Sequence, residues 1–137
     1  MDFTFTQPAH AHLITAGDRT VPVTATLRYT TEDPLAVFID FPPGATLDGE
    51  GATWTFARSL LDEGLDVPAG SGDVRIWPCE PGRTVLELHS PYGVALLQFG
   101  TPALRRFLRR SYAAVAAGRE DVEAVVDRGL SALFGGV

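Results

Sequence analysis

The chain has 137 residues, 45% of them hydrophobic, and a formal net charge of -6. These values describe one soluble globular domain over residues 1–137, long enough to bury a core without disulfides or metals. The single cysteine, Cys79, excludes an internal disulfide framework and a cysteine-cluster zinc site and fits a reducing, cytoplasmic setting. The sequence shows neither a basic export signal nor an apolar run of the ~18–20 residues needed to span a bilayer, so direct membrane insertion is not expected.

Period-2 alternation dominates the first hundred residues, as in strands with one buried face. Phe3 to Ile14 is the first such stretch, broken at Gly17-Asp18. Val21, Val23, Ala25, Leu27 and Tyr29 alternate with polar neighbours in the second, and Thr31-Glu32-Asp33-Pro34 supplies turn chemistry. Leu35 to Phe41 is a third strand, closed by Pro42-Pro43-Gly44, and Thr53 to Phe56 is a fourth. A short helix over Arg58 to Glu63 follows, with Gly64 as its expected C-cap. Leu60 and Leu61 would face the core there, leaving Arg58, Asp62 and Glu63 in water. Asp73 to Trp77 is a fifth strand stopped by Pro78; Thr84 to His89 and Val94 to Phe99 complete seven, joined by a tight turn at Ser90-Pro91-Tyr92-Gly93.

The period then changes. Thr101 reads as an N-cap with Pro102 at the first helical position, and Leu104, Phe107, Leu108, Tyr112 and Val115 form one apolar stripe. Gly118 punctuates it. Val122, Val125, Val126, Leu130, Leu133 and Phe134 form a second stripe, so the fold class is α+β, an antiparallel sheet with a short helix and two C-terminal helices.

Charge is unevenly placed. Residues 1–100 hold 5 Arg against 13 acids, residues 101–118 hold 4 Arg and no acid, and residues 119–137 hold 2 Arg against 4 acids. The cationic stretch is Arg105, Arg106, Arg109 and Arg110, a ridge whose guanidinium forks fit phosphate, an acidic partner segment or the chain's own acids. A solvated helix face is the plain alternative. General nucleic-acid affinity is disfavoured by the acidic balance and by the lack of interleaved stacking aromatics.

Other candidates carry less chemistry. His10 and His12 share a strand face, yet a catalytic zinc needs a third ligand, with only His89, Cys79 or distant carboxylates on offer. Ser90 beside His89 lacks a nucleophile elbow and reads as a turn residue. Gly70-Ser71-Gly72 has no lysine or following helix to cradle phosphate and reads as a flexible loop. Cys79 has no basic neighbour in sequence to activate it. Trp77 shares a strand face with Arg75 rather than with Val74 and Ile76; it fits either an interface, where Trp and Arg are enriched, or a second small core beneath the helices. Gly118 fits a helix C-cap or a point of close partner approach.

Several motifs occur together in order: Leu27-Arg28-Tyr29, Asp33-Pro34, Trp54-x-Phe56-Ala57-Arg58-x-Leu60-Leu61-x-Glu63-Gly64-Leu65, Gly70-x-Gly72-Asp73-Val74-Arg75-x-Trp77-Pro78, Ser90-Pro91-x-Gly93-x-Ala95-Leu96-Leu97 and Phe107-Leu108-x-Arg110. This set resembles the SsgA-like family of sporulating actinobacteria, nearest its SsgB type. The resemblance implies a Whirly-like antiparallel α+β fold, assembly as a homotrimer, and no catalytic residues or cofactor. It implies a non-enzymatic role in septum placement at the division septum, through recruitment of the tubulin-like GTPase FtsZ, other SsgA-like proteins or wall-synthesis machinery. The surfaces expected to serve partner or oligomer contacts are Arg75, Trp77, Pro91, Tyr92, Gly93, Arg105, Arg106, Arg109, Arg110 and Gly118. The rival reading is a single-stranded nucleic-acid module using the arginine ridge; a metal enzyme through His10 and His12 ranks third.

Overall fold

The computed structural model describes residues 3–46 and 48–120. In chain order it contains β1 (Thr4–Ile14), β2 (Thr20–Thr30), β3 (Ala36–Phe41), β4 (Ala52–Ala57), α1 (Arg58–Gly64), β5 (Val74–Glu80), β6 (Arg83–Ser90), β7 (Gly93–Gly100) and α2 (Thr101–Ala114). The strands form one curled sheet in the order β4-β3-β2-β1-β7-β6-β5, every neighbour antiparallel. The expected seven strands and the helices at Arg58 and Thr101 are present. The expected second C-terminal helix falls at 121–137, outside the described residues.

Alternation decides which face is covered. Ala9, Ala11, Ala25, Leu27, Ile39, Phe56, Ile76, Leu86, Leu97 and Phe99 point to one face, where Leu61, Leu104, Phe107 and Leu108 of the two helices close over them. Small alanines on β1 and β2 let α2 come close; its buried positions Leu104, Phe107, Leu108 and Ser111 follow the i, i+3, i+4, i+7 spacing. Gln7, buried in the middle of β1, ties strand to helix by donating from Nε2 to the Ala103 carbonyl at 2.8 Å.

Five local expectations are corrected. β5 does not stop at Pro78 but runs on to Glu80 through a bulge, because β5 is an edge strand and proline's missing N–H need not face a neighbour. Gly64 is the last residue of α1 rather than a left-handed cap. Glycine is required there because a Cβ would stand 2.5 Å from Ile76 Cβ, so α1 packs flush on β5. Gly70 is likewise no flexible spacer: it has φ 100°, a Cβ would sit 2.5 Å from the Val74 carbonyl, and the adjacent Ala69 exchanges two backbone hydrogen bonds with Ile76. Gly100, not Thr101, holds the N-cap position of α2, and the Thr101 hydroxyl instead lies 2.7 Å from that of Thr84. The fifth correction concerns Arg58.

Candidate partner-binding surfaces

Arg58 does not stay wet. It is 1% exposed, the largest fully buried side chain in the described molecule. Its position follows from helix geometry, since Arg58, Leu61 and Leu65 at i, i+3 and i+7 share one face. Nη1 donates to the carbonyls of Ser111 at 3.0 Å and Val115 at 2.7 Å, and Nη2 donates to Glu120 Oε1 at 2.6 Å. The guanidinium lies 4.1 Å from the Tyr112 ring centroid and 5.2 Å from that of Tyr29. A fixed cation therefore binds the C-terminal end of α2, sharing the Ser111 carbonyl with the Val115 N–H and donating to the Val115 carbonyl, where the helix dipole also favours positive charge. The charged hydrogen bond from Arg58 holds the Glu120 carboxyl below the ordinary glutamate value. Burial, together with the nearby Asp62 carboxylate that accepts the phenol's hydrogen bond, pushes Tyr112 up to about 12.

The arginine ridge of α2 divides on inspection. Arg105 pairs with Asp66 at 3.0 Å, and Arg110 lies over the Phe5 ring at 4.2 Å. Arg106 and Arg109 are exposed and join no ion pair among the described residues. Leu104, Phe107 and Leu108 anchor the opposite side of the same helix in the core, so these two cations stand on a rigid support.

Arg75 and Trp77 occupy the other face of the sheet. Trp77 is half-buried directly opposite Val85, while Val74 and Ile76 point to the helices; Trp77 therefore fills no second core beneath them. Glu87 links this row, its Oε2 lying 3.8 Å from Arg75 and 2.8 Å from His89 Nε2. Cys79 is exposed nearby. Farther along the face, Arg28 forks onto Asp40 with two 3.1 Å hydrogen bonds and stacks over Phe38, and that bond holds the Asp40 carboxyl below its usual range.

Pro91 and Tyr92 form the tip of the β6–β7 hairpin, Ser90 pairing with Gly93, and Tyr92 is 90% exposed. Ser90 is a turn residue as expected, its hydroxyl donating to the Gly93 carbonyl. Gly118 has φ 77° and sits at the third position of a turn closed by the Arg119 N–H on the Ala116 carbonyl, beyond the end of α2 rather than capping it. His10 contacts the Thr24 hydroxyl, and His12 and His89 are separated along β7 by the Gln98-to-Val94 interval. Among the described residues no three metal-ligating side chains converge. The expected site residues thus lie on separate surfaces: the outward side of α2, the sheet face opposite α1 and α2, the hairpin tip and the turn after α2. No described helix is long and apolar enough to cross a membrane.

Sequence reasoning missed Arg58 although its spacing to Leu61 and Leu65 was visible; an arginine at a core-facing helical position was assigned to water by residue type alone.

Residues 23–120 match the family model described as the Streptomyces sporulation and cell division protein SsgA. The chain is 46% identical over 127 residues to the sporulation-specific cell division protein SsgB of Salinispora tropica, covering 90% of this chain and 88% of that one. It is 42% identical to SsgB of Streptomyces coelicolor over 96% of both chains. The crystal structure of an SsgA-like sporulation-specific cell division protein from Thermobifida fusca superposes with a TM-score of 0.79 at 33% identity, covering 96% of each chain. The class is therefore that of sporulation and cell division proteins built on an antiparallel α+β sheet. Within it, the chain belongs to the SsgA family.

Proposed function

We propose that this protein is a non-enzymatic adaptor of sporulation-specific cell division that acts at the septum by binding FtsZ. The observation that carries this reading is the outward pair Arg106 and Arg109 on α2. They are two exposed cations, one helical turn apart, on a helix fixed to the core, in a chain whose remainder is acidic. Such a pair suits an acidic segment of a protein partner. The relatives' names as sporulation-specific cell division proteins support the process. A homotrimer would repeat the pair three times around one assembly, and repeated weak contacts on a polymer gain strongly in avidity.

The test is co-sedimentation with polymerised FtsZ, beside a fluorescence titration with single-stranded DNA. Co-sedimentation without DNA binding supports the adaptor. Tight DNA binding that weakens steeply with salt would replace it by the nucleic-acid reading.

A further inference from the structure

α1 and α2 lie side by side over the sheet, and their outward sides are opposite in charge. On α2 the outward positions are Arg106 and Arg109, at i and i+3, away from its buried Leu104, Phe107, Leu108 and Ser111. α1 buries Arg58, Leu61 and Gly64, which turns Glu63 outward. The N–H groups of Asp66 and Val67 both donate to the Glu63 carbonyl, so one further turn brings Asp66 to i+3 from Glu63, its side chain 67% exposed. Two acids at one helical spacing thus stand beside two arginines at the same spacing, about 5–6 Å within each pair.

The contacts between the helices also fix their relative level. Asp66 meets Arg105 at 3.0 Å, and Asp62 meets Tyr112 at 3.1 Å. The order reverses from one helix to the other, so the helices run antiparallel, and Arg106 and Arg109, between Arg105 and Tyr112, stand level with the stretch from Asp62 to Asp66. A two-fold axis parallel to the helices and midway between them therefore sets α1 of one copy against α2 of another without sliding either along its length. Glu63 and Asp66 then face Arg106 and Arg109 of the second copy, and the same pairs form again across the axis, as an isologous contact requires. A two-fold axis across the helices would instead stack acid on acid and arginine on arginine.

We propose that the helical layer is a self-complementary surface through which two copies of this chain pair, α1 against α2. The same arginines carry the proposed contact with FtsZ, so self-pairing and FtsZ binding exclude each other. The experiment needs no FtsZ, and its failure leaves that contact untouched.

Sedimentation velocity over a range of protein concentrations compares wild type, Arg106→Glu with Arg109→Glu, and Glu63→Arg with Asp66→Arg. The expected result is a weight-average sedimentation coefficient that rises with concentration in wild type, and pairing at least about tenfold weaker in either variant alone. Mixed in equal amounts, the two variants are complementary on both halves of the contact, and the rise returns. Each variant moves the chain's net charge of -6 by four units, so both stay net negative and general attraction does not account for a heavier mixture. No rise in wild type, an unchanged rise in either variant, or a mixture no heavier than its parts overturns the proposal. Should Glu63→Arg with Asp66→Arg fail to fold, Glu63→Gln with Asp66→Asn takes its place and is expected to weaken pairing about tenfold; pairing equal to wild type in that variant overturns the proposal.

Discussion

Replacing Arg58 by Met should unfold the end of the molecule that Arg58 holds together. The substitution keeps most of the apolar stem, and it removes a cation that is 1% exposed and bonded to two carbonyls and one carboxylate. Breaking a buried ion pair by removing one partner costs about 3–5 kcal/mol, because the groups left behind stay buried without water. Part of that cost is the stacking on Tyr112, and cation–π contacts of desolvated arginine are worth about 2 kcal/mol. At about 2.1 cal/mol/K of unfolding entropy per residue, a chain of this length should lose about 10–17 °C in melting temperature. Urea denaturation followed by circular dichroism reads the free energy directly. Arg58→Lys should recover only part of it, since one ammonium cannot reach both carbonyls and Glu120 in the fork geometry. Glu120→Gln, with an acceptor still in place, should cost about 1–2 kcal/mol, and combining it with Arg58→Met should be less than additive. A loss below about 1 kcal/mol for Arg58→Met would refute the reasoning, since the arginine would then be exchanging protein contacts for water at no cost.

Stability should also follow pH at both ends of the scale. Glu120 and Asp40 have folded values below their ordinary ones, so their contribution is fully present above the unfolded values and is lost as pH falls through the folded ones; melting temperature should drop below about pH 4. Arg58→Met should flatten the Glu120 part of that acid limb. Tyr112, raised to about 12, contributes in the opposite sense: its part is present below the unfolded phenol value and is lost as pH climbs through about 12, and ultraviolet titration of wild type against Tyr112→Phe should show the missing late phenol. Gly64→Ala should destabilise by about 1–3 kcal/mol despite alanine's better helix propensity, because its Cβ would meet Ile76; equal or higher stability in urea denaturation would contradict flush packing of α1 on β5.

The strands were legible because period 2 is strong in Val21 to Tyr29 and Leu35 to Phe41, where Val23, Ala25, Leu27, Tyr29, Val37 and Ile39 are buried on one face, although Val21 and Leu35 at the strand ends are exposed. α2 was legible from its stripe. What misled was residue type read without neighbours. Pro78 reads as a strand breaker until β5 is known to be an edge, and Gly64 and Gly70 resemble a cap and a spacer until Ile76 and the Val74 carbonyl are placed beside them. Arg58 was assigned to water because a charged side chain is usually exposed, although its helical phase matched Leu61 and Leu65. The arginine ridge was visible as composition, but its division was not: Asp66 and Phe5, which engage Arg105 and Arg110, are far from them in sequence.

The most direct measurement is co-sedimentation of the full chain with FtsZ polymers, comparing wild type with Arg106→Glu combined with Arg109→Glu. Both positions are exposed and join no ion pair among the described residues, so the double variant should keep its stability within about 0.5 kcal/mol, which urea denaturation verifies. The account predicts that wild type enters the pellet with the polymer and that the charge-reversed protein stays in the supernatant. Equal sedimentation of the two would contradict the assignment of the α2 cations to the partner, and wild type remaining wholly in the supernatant would contradict FtsZ as that partner.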